Sequence, residues 1–178
     1  MISHGPCGSC NLIGQAKEAH LRRHQTAHGQ KPRRPEMTDF HANQTRNIET
    51  VHRFFDLMHR KDIDSWGELW ADNGRIIVFY PPVGFGDSIG GKAAILAAFK
   101  GLFGNFESFK SQLTAIYPAA DAEAVVVEYR NRAVIKGGTE YTNSNIAVFR
   151  FENGLIRAYH DYFDPRRFQV VVNALSKS

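Results

Sequence analysis

Between Gln44 and His59, Ile48, Val51, Phe55 and Met58 recur at helical spacing and predict an amphipathic helix. Lys61-Asp62-Ile63-Asp64 forms a polar turn after it. Ser65-Trp66-Gly67-Glu68 matches a capping box and predicts a short helix with Trp66, Leu69 and Trp70 inward, ended by Asp72-Asn73-Gly74. The period then changes. Arg75 to Tyr80 (RIIVFY) is β-branched and aromatic and predicts a strand, stopped by Pro81-Pro82. Val83 to Gly91 (VGFGDSIGG) is glycine-rich but lacks the Lys-Ser/Thr pair of a phosphate-binding loop, so it reads as a flexible lid beside a pocket. From Lys92 to Phe103, Ile95, Leu96, Phe99, Leu102 and Phe103 form the apolar face of another helix.

Four apolar runs follow, at Lys110–Tyr117, Ala124–Ile135, Thr139–Phe151 and Leu155–Phe163. Residues 119–123, Gly137-Gly138 and Asn153-Gly154 supply the turns, and Asn-Gly is a strong signal for a tight hairpin. Connections this short predict an antiparallel meander. Pro165 opens a last short helix with Phe168, Val171, Val172 and Leu175 on its buried side. The expected fold is α+β: a curved antiparallel sheet packed against three helices, forming a cone with an internal pocket. Long aromatic strands leave a second sheet face to cover, which points to a homodimer.

Composition divides the chain at residue 36. Residues 1–36 hold six Lys/Arg and two Asp/Glu, whereas residues 37–178 hold sixteen of each. The formal charge of +4 therefore belongs to the tail, and the neutral body offers no basic face for nucleic acid. No apolar run is long enough to span a membrane, and the first residues lack the pattern of a signal peptide, so a cytoplasmic location is the default expectation. Both cysteines lie in the tail, where Cys7, Cys10, His20 and His24 follow a C-x2-C-x9-H-x3-H spacing suited to tetrahedral zinc, with His28 a further option. The run from Leu21 to Pro32 resembles the end of a Cys–Cys–His–His zinc finger, without the aromatic such a finger buries. The preferred reading of the tail is a disordered segment, or one preceding the natural start at Met37. Residues 37–178 form the expected domain.

Chemistry concentrates near the end of the chain. Asp161 lies late in a mostly apolar strand, among Tyr159, Tyr162 and Phe163. A carboxylate there must be solvated, paired or tuned by burial. It reads either as a base removing a proton beside a carbonyl or imine, or as the partner of Arg132 or Arg157 in an ion pair. Tyr141, Asn143 and Asn145 share one strand face and supply either a polar pocket wall or an interface ladder. Glu128 and Arg132 likewise share a face, lining the cavity or pairing across strands. Tyr80 could donate a hydrogen bond to a substrate oxygen, while His160 should face away from Asp161.

The order of elements resembles the nuclear-transport-factor-2-like superfamily, in its SnoaL-like group. The matching residues are Phe79-Tyr80-Pro81-Pro82-Val83-Gly84, Ile89-Gly90-Gly91-Lys92, Tyr141-x-Asn143, Phe149, Glu152-Asn153-Gly154-x-Ile156 and Asp161-Tyr162-Phe163-Asp164-Pro165. The final portion is most similar to the phenazine-biosynthesis A/B proteins. The resemblance implies a homodimer with one cavity per subunit and a pocket carboxylate acting as general acid/base without metal or organic cofactor; Asp161 occupies the matching position. The helix histidine of the phenazine-like proteins has no counterpart in KAAILAAFKGLF, and the Asp-Arg-Asp set of limonene-type epoxide hydrolases is not reproduced by Glu128, Arg130 and Arg132. The leading expectation is thus a cofactor-free enzyme moving a proton on a hydrophobic cyclic metabolite by isomerisation, cyclisation, condensation or dehydration. Asp161 would be catalytic, with Tyr80, Tyr141, Asn143, Asn145, Glu128 and Arg132 binding substrate. A ligand carrier using the same cavity, and a regulator binding zinc through the tail, are the alternatives.

Overall fold

A computed structural model describes residues 37–121 and 123–176. The zinc-ligand set Cys7, Cys10, His20 and His24, and every other reading of residues 1–36, lie outside the described residues. The chain runs α1 (Met37–Arg60), α2 (Ile63–Gly67), β1 (Trp70–Val78), β2 (Ser88–Gly90), α3 (Lys92–Gly104), β3 (Phe106–Pro118), β4 (Ala124–Ile135), β5 (Thr139–Glu152), β6 (Leu155–Phe163) and α4 (Pro165–Leu175). No helix among the described residues is long and apolar enough to cross a membrane.

One curved, unclosed sheet carries the strands in the order β2-β1-β6-β5-β4-β3. The meander from β3 to β6 is antiparallel throughout, as its short connections require. At the Asn153-Gly154 turn both residues adopt positive φ, 53° and 81°, the combination a two-residue hairpin of matching twist needs. Two features of the sheet depart from the simple antiparallel expectation. β1 pairs in parallel with β6, because the chain leaves β1 through β2, α3 and three strands before returning beside it. The glycine-rich segment also contributes a short strand, β2, which pairs antiparallel with β1 through Ile76 and Ile89. β6 is consequently an interior strand, flanked by β1 and β5, and among the described residues four helices rather than three accompany the sheet.

The second helix differs from the expected one. Asp62, not Ser65, is its N-cap: its carboxylate accepts the Ser65 amide at 3.1 Å. Asp62 follows Lys61, whose φ of 58° turns the chain, so the helix begins before the capping-box letters and ends by Gly67. Trp70 already belongs to β1, and Asp72-Asn73-Gly74 lies inside that strand rather than ending a helix. The β1–β6 register shifts between Trp70 and Arg75 at this point. A Cβ on Gly74 would meet the Ala71 carbonyl oxygen and the Trp70 ring, each at 2.9 Å, so the irregular strand closes only over glycine.

α1 lies against the concave face and supplies the centre of the core. The Phe54 ring sits 4.9 Å from Phe149, 5.1 Å from Trp66 and 5.4 Å from Tyr159, joining two helices to β5 and β6. Phe55 meets Tyr129 of β4 at 4.8 Å. Phe54→Ala should remove about 3–5 kcal/mol of unfolding free energy, more than any surface change, because it empties the centre of this cluster; urea unfolding followed by tryptophan fluorescence would measure the loss.

Candidate functional site

The inner face of the sheet and the helices over it leave a cavity of about 80 Å³. That is room for two or three waters, and less than the ~150 Å³ that accommodates a benzene ring. Its walls divide by chemistry. α3 contributes Phe99, Leu102 and Phe103, the start of β3 adds Phe106 and Phe109, and the segment before α3 adds Phe85 and Ile89. Phe85 packs edge-on against Phe168 of α4 at 5.4 Å, and Gln169 donates to the Val83 carbonyl, so the glycine-rich segment and α4 close one side together.

The polar end comes from the three central strands by alternation of two. β4 sends in Tyr129 and Asn131, β5 Tyr141 and Asn145, and β6 Tyr159 and Asp161. Tyr129 is the junction of this group. Its hydroxyl donates to Asp161 Oδ1 at 2.8 Å, and the Asn145 Nδ2 amide donates to it at 3.2 Å. The Tyr129 and Tyr159 hydroxyl oxygens are 2.6 Å apart. Because the Tyr129 proton is committed to the carboxylate, Tyr159 is the donor in that bond. Farther along, the Ser111 hydroxyl donates to Asn131 Oδ1, and the Asn131 and Asn143 side chains hold the Tyr141 hydroxyl.

Burial in this setting disfavours the charged carboxylate and pushes Asp161 up to about 6. Hydrogen bonds from Tyr129 and Asn145, and from the Tyr162 backbone amide, pull the other way and keep the rise moderate. The side chain borders the cavity and so keeps some accessible surface, although protein encloses it on the remaining sides. Burial, reinforced by the nearby Asp161 charge, raises Tyr129 and Tyr159 well above the usual phenol range, and Tyr141 likewise. All three remain neutral hydroxyls in water near neutrality. Among the described residues, Asp161 is therefore the one wall group that changes charge in that range.

The arrangement has the form of a small-molecule site, and sequence comparison gives it a family. A SnoaL-like domain model matches residues 51–159, more than half of the chain. The chain belongs to the SnoaL-like domain family. The uncharacterized protein YesE of Bacillus subtilis strain 168 is 34% identical over 118 residues, which is 66% of this chain and 80% of that protein. A presumed isomerase of Bacillus subtilis, solved by crystallography, superposes with a TM-score of 0.66 at 30% identity, covering 74% of this chain and 96% of that one. The phenazine biosynthesis-related protein phzb2 of Pseudomonas aeruginosa superposes with a TM-score of 0.64 at 19% identity over 78% of this chain and 90% of its own, a likeness of fold alone.

Within this SnoaL-like domain, Tyr141, Asn145 and Asp161 meet at one cavity wall. Asn143 shares their face without lining the cavity: besides holding the Tyr141 hydroxyl, its amide donates to the Asp164 carbonyl at 3.0 Å and its carbonyl accepts the Ser144 and Asp164 amides, clamping the turn into α4. Tyr80, Glu128 and Arg132 do not line the cavity, and their expected place there is corrected. Tyr80 lies beyond the end of β1, 64% exposed. Glu128 and Arg132 alternate with Tyr129 and Asn131, so the pleat directs them to the opposite face; there Glu128 accepts the Tyr117 hydroxyl at 3.4 Å, and Arg132 stands between Lys110 and Thr142. Arg157 is engaged by the Asn73 carbonyl and Glu152, so neither arginine pairs with Asp161. His160 is likewise not among the cavity-lining residues.

Tyr129, Asn131 and Tyr159 escaped sequence reasoning. The available signal was the period of two: Tyr159 precedes Asp161 by two positions, and Tyr129 continues the buried set Val125, Val127, Ala133 and Ile135 along β4. Among the described residues no group of three or more His, Cys, Asp or Glu is placed to hold a metal.

The raised Asp161 pKa makes stability depend on pH with a definite sign. Below about pH 4 the carboxyl is protonated in both states; as pH rises the unfolded chain ionises first, and the folded state is penalised until about pH 6. The loss is on the order of 2–3 kcal/mol across this window. Asp161→Asn should flatten that part of the profile, which urea denaturation at pH 4, 5, 6 and 7 would show as a difference between the two proteins.

Proposed function

We propose that this SnoaL-like domain is an enzyme that moves a proton on a hydrophobic cyclic small molecule, with Asp161 as general acid/base. The supporting observation is a single titratable carboxyl, raised to about 6, at the hydrogen-bonded end of an otherwise aromatic and aliphatic cavity. Tyr129 holds Oδ1, and the carboxyl borders the cavity, where it would meet a substrate C–H or O–H. Isomerisation, cyclisation, condensation and dehydration all reduce to this step. A proton is taken from one substrate atom and returned to another, and the chemistry calls for no metal or organic cofactor. Tyr141 and Asn145 orient the substrate. Ring-sized molecules require the cavity to widen, since it is smaller than a benzene site.

Asp161→Asn should lower kcat by roughly 10²–10⁴-fold while the fold is retained. In the wild type, kcat/KM should rise with pH through about 6 when Asp161 acts as the base. Full turnover by the Asn variant would move the domain to the carrier reading, in which the cavity only retains its ligand.

The sheet face opposite the cavity supports a homodimer. Tyr80, Tyr117 and Ile146 stand exposed there, among Glu128 and Arg130. An unpartnered apolar area of this kind on an open sheet is characteristic of an interface. Light scattering should give twice the chain mass, and Ile146→Arg, at the middle of the patch, should yield monomers; a monomeric wild type at micromolar concentration would rule the pairing out.

A further inference from the structure

The cavity is unbalanced in charge and in hydrogen bonding. Among the described residues no Lys, Arg or His lines it, so Asp161 has no cation among these wall groups. The titratable groups around the carboxylate are Tyr129 from β4, Tyr141 from β5 and Tyr159 from β6; α1 and α3 present only apolar side chains to the cavity. Donors at the end that holds the carboxylate are already committed: Tyr129 to Asp161, and Tyr159 and the Asn145 amide to Tyr129.

Asn145 carries the imbalance further. It is 5% exposed, its Nδ2 points at Tyr129, and its Oδ1 is buried without a partner. Turning the amide over would set its carbonyl against the same acceptor-rich group, so the carboxylate and the Tyr129 oxygen hold Asn145 in the orientation that leaves Oδ1 unpaired. A buried carbonyl in that state costs free energy until something donates to it. Phe85, Phe163 and Phe168 line the same cavity.

An uncompensated carboxylate, an orphaned carbonyl and surrounding aromatic rings ask for one kind of partner: a positively charged group carrying N–H donors. We infer that the substrate class of this cavity is a small hydrophobic amine, bound as its cation with the nitrogen on Asp161 and Asn145 and its carbon skeleton against the phenylalanines. An ammonium would supply donors to both acceptors, and the aromatic faces would offset part of its desolvation. Carboxylates and phosphates would meet like charge at Asp161. This inference rests on the reading of the cavity as a substrate site, and it names what that site selects.

Three probes of one shape separate charge from fit: cyclopentylamine, cyclopentanol and cyclopentanecarboxylate, titrated into the full-length protein in phosphate buffer and followed by amide chemical shifts. At pH 7.5 the amine, a cation at that pH, should bind at least tenfold tighter than the alcohol, and the carboxylate weakest. Lowering the pH to 5 should weaken the amine about tenfold as Asp161 takes its proton, and leave the alcohol unchanged. Asp161→Asn should abolish the preference for amine without abolishing alcohol binding. The inference is overturned if the alcohol or the carboxylate equals the amine at pH 7.5, if the amine shows no binding, or if its advantage survives in Asp161→Asn. Failure here is distinct from failure of the acid/base reading: a preference for alcohol together with loss of turnover in Asp161→Asn removes the amine and leaves the chemistry, whereas amine selectivity with full turnover does the reverse.

Discussion

The hydrogen bond from Tyr129 to Asp161 reaches from β4 to β6 across the whole width of β5, and the site depends on it. It satisfies one carboxylate oxygen, and the same hydroxyl oxygen then receives Asn145 from the strand between and Tyr159 from beside Asp161. Each of three strands contributes, so the register of both hairpins must be right at once. A slip of one residue in β4 would exchange Tyr129 for Glu128 or Arg130 and turn the site inside out. The Asn153-Gly154 turn and the pairing of Ala147 with Asp161 fix one side of that register, and the parallel approach of Val78 fixes the other. Without β1 on that flank, β6 would be an edge strand with Asp161 beside water, and the burial that lifts its pKa would be lost.

Local patterns carried much of this. Period-two and period-3.6 runs placed the helices and the meander, Asn-Gly marked the hairpin, and an acid late in an apolar strand marked Asp161. What escaped was settled by distant parts of the chain. Nothing near Trp70 announces that it starts a strand, because the β1–β6 pairing joins segments more than eighty residues apart. Glu128 and Arg132 drew attention because charge looks like chemistry, yet along β4 the hydrophobic partners of the inner face decide the pleat, and those partners include Tyr129. Tyr80 matched a family position in the letters, but β1 ends at Val78 and the side chain stands in solvent. Asp62 and Ser65 are both competent caps three residues apart, and the turn at Lys61 chose between them. Strand facing is a tertiary property, and sequence alone states the alternation without stating which phase is inside.

The chemistry of the cavity follows from how its protons are arranged. Three buried tyrosines are driven toward permanent neutrality by the same desolvation that lifts Asp161, so burial spreads the four acids apart in strength instead of making them alike. The phenols become fixed donors and Asp161 becomes the one mobile proton site. Hydrogen bonding sets how far that separation goes. Were Tyr129 absent, desolvation would act unopposed by its strongest counterweight and Asp161 would hold its proton more tightly, as a poorer base near neutrality. With Tyr129 in place the carboxyl keeps both forms within reach of ordinary pH. The donors that achieve this are consumed in doing so, which leaves the cavity rich in acceptors. What tunes the carboxylate for proton transfer therefore also decides which molecules can sit beside it.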